Sequence, residues 1–207
     1  HQRILARRLL AKAYEHASFL IEEAMRTNNI ELQLTSYIQR LKLHLQQQNI
    51  VEAAADLHTC EQLMNEHDTL KIYEGIIYCA AGMLNTLTNN HQVAYTQFTH
   101  AISLAYEHGD WLTLSTAYTN MSVLPQLNHH EAIELARTGV LFAHMIEHTS
   151  DLYVVRALLH VAKLYLQAGQ LDDVLSLCNE LEQLLSRHRY MREQLQSETL
   201  WLYYLTL

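Results

Sequence analysis

The sequence predicts an all-α chain of stacked helix hairpins, and three observations carry that expectation. The first is a repeat. The small or apolar residues Ala13, Ala53, Ala94, Ala132 and Val174 are separated by 40, 41, 38 and 42 positions. A second row, Ala24, Met64, Ala105, Ala143 and Leu185, lies eleven residues further on and repeats the same four intervals. Two rows in step at a period of 20 to 50 residues are the mark of stacked supersecondary units, each unable to bury its apolar face alone. The second observation is scarcity of breakers, with five Gly and one Pro in 207 residues, which suits long helices and not a turn-rich β protein. The third is periodicity within the units. Ile72, Ile76, Cys79, Ala80 and Met83 recur at helical spacing, as do Leu158, Val161, Leu164 and Tyr165, and Val174, Leu177, Cys178, Leu181, Leu184 and Leu185.

The elements follow from their breakers. Turns near Asn49, Asn89-Asn90, Asn128 and Gly169 divide the two helices within a unit. Breaks at Asn28-Asn29, His67-Asp68, Gly109-Asp110, Thr149-Ser150-Asp151 and around His188 to Tyr190 divide one unit from the next. Asp68, Asp110 and Asp151 are expected to serve as N-caps, and Gly109 and Gly169 to supply positive-φ stops. About nine helices result. The first, roughly residues 1 to 27, reads as the second helix of a unit, and the last, from about Tyr190, as the first helix of another. The whole of 1–207 reads as one helical-repeat domain and as a fragment of a larger multidomain protein.

Composition narrows the function. Hydrophobic residues make up 49% and charged residues 17%, enough for a substantial core. With 14 basic and 22 acidic residues the formal charge is −8, so no direct nucleic-acid binding is expected. Cys60, Cys79 and Cys178 form no CxxC pair and read as reduced, buried small hydrophobes. No apolar run reaches the roughly 18 residues of a membrane span, and a cytoplasmic setting is expected.

Chemistry-bearing residues are mostly explained by the repeat. His67, His108, His148 and His188 recur at intervals of 41, 40 and 40, three of them after Glu66, Glu107 and Glu147, at the ends of second helices. A histidine there meets exposed carbonyls and the negative end of the helix dipole. His144 and His148 share a helix face near Glu147 and Asp151, but no HExxH or second Cys/His pair completes a metal site. His129-His130 falls in a turn. There is no GxSxG, GxxxxGK[ST] or GxGxxG, and Asp172-Asp173 read as first-turn carboxylates. No enzyme activity, metal or cofactor is expected. Tyr14 and Tyr95, and Tyr37 and Tyr118, are each 81 apart, two repeat lengths, and are expected to pack.

The segment VAKLYLQAGQLDDVLSLCNEL, residues 161 to 181, resembles a tetratricopeptide repeat. Ala162 stands at the helix crossing, Tyr165 at the usual tyrosine, Gly169 at the turn and Leu171 just after it, while Val174 replaces the usual alanine. GMLNTLTNNHQVAYTQFTHAI matches through Gly82 at the crossing and through Ala94, Phe98 and Ala101. Units near forty residues are longer than the tetratricopeptide norm of about 34 and resemble the helical-repeat arm of MalT-like bacterial transcription activators. GQLDDVLSLCNELEQLLSRHRY, residues 169 to 190, is similar to that longer style.

The resemblance implies a right-handed superhelical solenoid of antiparallel hairpins, and a non-catalytic regulatory or sensor segment of a bacterial signalling or transcription regulator. It implies a concave face built by first helices that takes a protein or peptide partner. Register places Lys42, Gln46, Met83, Thr86, Leu114, Met121, Arg156, Lys163 and Gln167 on that face. The alternative is a small-molecule effector receptor arm controlling an attached DNA-binding or cyclic-dinucleotide-synthesising domain. The apolar end WLYYLTL either continues the superhelix or mediates self-association as a homodimer.

Overall fold

The helices lie where the apolar stripes put them. The computed structural model describes residues 2–146, 151–187, 199 and 202, and among them the protein is all-α. Nine α-helices follow in order among these residues: α1 (Gln2–Arg26), α2 (Ile30–Gln46), α3 (Ile50–Glu66), α4 (Glu74–Leu87), α5 (His91–His108), α6 (Trp111–Met121), α7 (His129–His144), α8 (Leu152–Gln167) and α9 (Leu171–Arg187). A 3₁₀ segment, Asp68–Tyr73, precedes α4. The breaks expected at residues 149 and 150, the one around His188, and the helix expected from Tyr190 lie outside the described residues.

One device ends five of the helices. Asn28, Gln48, Asn89, Gly109 and Gly169 all take the left-handed conformation, with φ of 54°, 58°, 61°, 66° and 73°. The amide of the next residue then donates to a carbonyl five residues back: Asn29 to Ala24, Asn49 to His44, Asn90 to Asn85, Asp110 to Ala105 and Gln170 to Tyr165, at 2.8–2.9 Å. This is the Schellman closure, which satisfies a carbonyl left without a partner at the helix end. The following helix starts at once. Asn29 caps α2 by accepting from the Leu32 amide, and Asp110 caps α6 by accepting from Thr113. Connections this short make successive helices antiparallel neighbours.

The other ends differ. Asp68 does not cap a helix: His67 occupies that position with extended backbone, and Asp68 opens the 3₁₀ segment, paired with Lys71 at 2.7 Å. Asp151 stands at the N-cap position of α8. Asn128, expected only as a turn, caps α7 in a reciprocal box with Glu131.

The chain divides into two compact units, His1–Leu104 and Ala105–Leu207, with the division inside α5. In the first, α1 packs on α2, α2 on α3 and α3 on α4, and α2 also touches α4. Its core joins Leu34, Ile38, Leu41 and Leu45 to Ala53, Leu57, Cys60 and Leu63 and to Ile77, Ala80 and Ala81. In the second unit, α6 packs on α7, α7 on α8 and α8 on α9, with α6 also reaching α8. Val155, Leu158, Leu159 and Ala162 there meet Val174, Cys178, Leu181 and Leu185. Each unit thus repeats one pattern, a hairpin whose first helix also meets the first helix of the next hairpin.

The repeat stations are core positions. Ala24, Ala53, Ala94, Ala105, Ala132, Ala143, Val174 and Leu185 are buried, and Ala13 and Met64 are half-buried. Small residues sit where helices approach closely. A Cβ on Gly82 would lie 2.6 Å from Cε1 of the buried Phe98 ring. Gly82→Ala is therefore expected to destabilise the chain by about 1–3 kcal/mol, because a rigid ring must shift to admit the methyl group. Thermal unfolding of the purified variant, followed by far-ultraviolet circular dichroism, checks this.

Candidate interaction surfaces

The expected partner-binding residues divide between the units. In the first, Lys42 and Gln46 lie on α2 and Met83 and Thr86 on α4; Gln46 is exposed and the other three half-buried. The Thr86 hydroxyl donates to the Gly82 carbonyl at 2.9 Å, so its proton is committed within the helix. In the second, Arg156, Lys163 and Gln167 are all exposed along α8, at a spacing of seven and then four that keeps them on one face. Leu114 and Met121 do not belong with them. Leu114 is fully buried and Met121 nearly so, because α6 packs against both α7 and α8 and buries Thr113, Leu114, Ser115, Ala117 and Met121 over a wide arc.

The histidines at helix ends are found where expected: His67 follows α3 as its C-cap residue and His108 ends α5. His148 and His188 lie outside the described residues, and with His148 the pair it forms with His144. Among the described residues no group of three or more His, Cys, Asp or Glu converges as metal ligands would. The three cysteines are free and buried, and burial and the nearby Asp56 push the Cys60 thiol up to about 12.

Two buried polar arrangements were not apparent from the sequence. In the first unit Asp56 of α3 is only 4% exposed and accepts two hydrogen bonds from Arg40 of α2, from Nε to Oδ2 at 2.9 Å and from Nη2 to Oδ1 at 2.6 Å. The hydrogen bonding of its guanidinium to this carboxylate is the main cause holding Arg40 above its ordinary pKa. The guanidinium lies 5.1 Å from the Tyr37 ring centroid. His44 Nε2 is 3.7 Å from Asp56 Oδ2, and its Nδ1 lies 3.4 Å from the Tyr14 hydroxyl. Two of the repeat-spaced tyrosines therefore pack around one ion pair. Both carboxylate oxygens accept from one guanidinium across the hairpin, which makes the arrangement structural. Asp56→Ala is expected to cost about 3–5 kcal/mol by leaving the Arg40 cation without its partner, and Arg40→Met with Asp56→Leu much less; urea denaturation of the single and double variants checks the difference.

In the second unit Ser122, at the C-cap of α6, meets His160 of α8, with Oγ and Nε2 2.8 Å apart. Ser122 Oγ donates to the Thr119 carbonyl at 2.7 Å, so its oxygen accepts from a protonated Nε2. The serine is 2% exposed and its proton is directed to the backbone, which is the opposite of an activated nucleophile. Burial, and secondarily the Lys163 charge, push the His160 imidazole down to about 4. The unfolded chain takes up this proton near pH 6.5 while the folded chain resists it until about pH 4. His160 therefore contributes full stability above pH 6.5, lost as pH falls through that window, by up to about 3 kcal/mol. Denaturation midpoints measured from pH 7 to 4 should show this loss, and His160→Gln should remove its share of the slope.

Two surfaces are left. On the first unit, Tyr78 of α4 and Gln92, Tyr95, Thr96, Gln97, Thr99, His100 and Ser103 of α5 line an open groove of about 680 Å³. Tyr78 and His100 meet edge to face at 4.3 Å, and the buried Gln97 Oε1 has no hydrogen-bond partner. Tyr95, expected to pack, is 37% exposed here.

On the second unit, Trp111 and Tyr118 stand seven residues apart on α6, two turns or about 10 Å along the axis. The Phe142 ring of α7 lies between them, 6.0 Å from Trp111 at 6° and 5.7 Å from Tyr118 at 15°. Tyr106 meets the same ring edge-on at 5.5 Å, and its hydroxyl is 3.4 Å from that of Tyr118. Burial, and then Tyr106, push the Tyr118 phenol up to about 12, so its hydroxyl keeps its proton at neutral pH.

No family model and no curated protein sequence matches the chain. Solved structures do, among them the crystal structure of BtubC (BKLC) from P. vanneervenii. The likeness has a TM-score of 0.68 at 14% identity and covers 95% of this chain and 84% of that one. At that identity what is shared is the fold.

Proposed function

We propose that this chain is a non-catalytic interaction segment of a bacterial signalling or transcription regulator, a tetratricopeptide-like right-handed superhelix that works in the cytoplasm. A partner segment binds the face made by first helices. The observation that carries this reading is α8. Its inner face is buried by Val155, Leu158, Leu159 and Ala162, while Arg156, Lys163 and Gln167 form an exposed stripe in the register expected for partner contact. Two cations on a chain of net charge −8 favour an acidic partner segment. The buried groups that look chemical, Asp56 and Ser122, are consumed by structural hydrogen bonds, which leaves them no catalytic role. No helix of the described residues is long and apolar enough to cross a membrane.

The second reading, an effector receptor arm, is favoured by one observation, the groove with its unpartnered Gln97 oxygen. Native mass spectrometry separates the two. The freshly purified chain is expected to fly without a small-molecule adduct and to retain acidic peptides from a mixed-charge set, with retention lost in Arg156→Glu with Lys163→Glu. A stoichiometric adduct on the bare chain moves the assignment to the effector arm. Peptide retention that survives both substitutions takes α8 out of the binding face.

A further inference from the structure

The aromatic cluster of the second unit is partly open to solvent. Tyr106 is 51% exposed, Leu141 of α7 is 65% exposed, and Met145, the C-cap residue of that helix, is 47% exposed. Trp111, Tyr118 and Phe142 are each half-buried. The outer faces and edges of these rings therefore form a continuous apolar platform with hydroxyl groups at one side. An exposed platform of this kind marks an interaction site.

Charge selects the occupant. Residues 105–146, which supply every ring of the cluster, contain Glu107, Asp110, Glu131 and Glu134 against the single cation Arg137, four negative charges less one, or −3. Arg137 is already paired with Glu134 at 3.3 Å, and α6 carries no charged residue. The platform is thus electron-rich aromatic surface in a negative field, and no lysine lies within this stretch. A second copy of the chain, itself at −8, is repelled by that field. A planar guanidinium is attracted twice, by the ring faces and by the net negative charge of this stretch, in which Glu107 follows Tyr106 and Asp110 precedes Trp111. Its flat face stacks on tyrosine and tryptophan more readily than an ammonium does.

We propose that the Tyr106–Trp111–Tyr118–Phe142 platform docks an arginine-bearing segment of a partner protein, with a guanidinium stacked on the exposed ring of Tyr106. This surface is separate from the α8 stripe, and its occupant has the opposite charge, so the two assignments stand or fall independently.

The test uses the full chain with Trp201→Phe, so that Trp111 fluorescence reports alone. The probes are three decapeptides in which glycine alternates with arginine, lysine or glutamate. The arginine peptide is expected to change Trp111 emission saturably, to bind several-fold more tightly than the lysine peptide, and to weaken as salt rises. Tyr106→Ala should weaken it about three- to tenfold while Tyr106→Phe retains it. Tyr106 is half exposed, so neither variant should unfold the chain, which circular dichroism verifies. Equal binding of arginine and lysine peptides with no effect of Tyr106→Ala would reduce the interaction to general charge attraction and overturn the proposal. So would a change of Trp111 emission by the glutamate peptide that Tyr106→Ala abolishes, absence of any saturable signal with the arginine peptide, or self-association abolished by Tyr106→Ala without peptide binding.

Discussion

The left-handed residue that closes a helix and hands the chain directly to the next N-cap is the constraint on which the rest of the structure depends. At Asn28, Gln48, Asn89, Gly109 and Gly169 the reversal takes one residue of positive φ and one amide bonded five residues back. With so little chain between helices, the second must lie against the first, and its rotation about its own axis is set by the connector. Under that condition the two rows of repeat stations, eleven residues apart on the same helices, fall on buried or half-buried positions within each unit. The close approach of Gly82 to Phe98 follows from it. Three of the five positions are not glycine, so the conformation carries a backbone cost that the surrounding packing holds in place.

Polar groups inside the units are spent on the same task. Arg40 and Asp56 tie α2 to α3, and Ser122 and His160 tie α6 to α8. The first pair bridges helices that a connector joins, the second bridges the first helices of successive hairpins, and each satisfies groups that would be costly to bury alone. What would pass for an acid, a base or a nucleophile in isolation is here a fastening, and the groups free to meet a partner are on the outside.

The core was legible because burial repeats when the environment repeats. Ala53, Ala94, Ala132 and Val174 occupy equivalent places, and the resemblance to a tetratricopeptide repeat assigned Gly82, Phe98 and Ala162 their packing roles. Asp110 could be named as a cap because a short carboxylate followed a glycine. The surface was less legible. Register identifies a position on a helix but not what else lies against it, and so Leu114 and Met121 are core residues while Arg156 and Lys163, one unit later, are exposed. Asp56 did leave a signal: it falls within the arc of Ala53, Leu57 and Cys60, where a carboxylate demands a cation, and Arg40 lies sixteen residues back across the hairpin. Asp68 misled because a capping residue type was present without the α-helical first turn that it would cap.

The uniform connectors also determine where the chain can change length. An added residue in a one-residue reversal has no slack to occupy, and carried into the next helix it would turn the buried stripe by about 100°. The interval from Ala13 to Ala53 crosses two such connectors and is 40, whereas the intervals of 41 and 38 cross the 3₁₀ segment before α4 and the irregular stretch between Met121 and Asn128. Insertions and deletions accumulated over the history of this chain are therefore expected to gather in the connections outside the five tight reversals, leaving those five constant in length even where their residues differ.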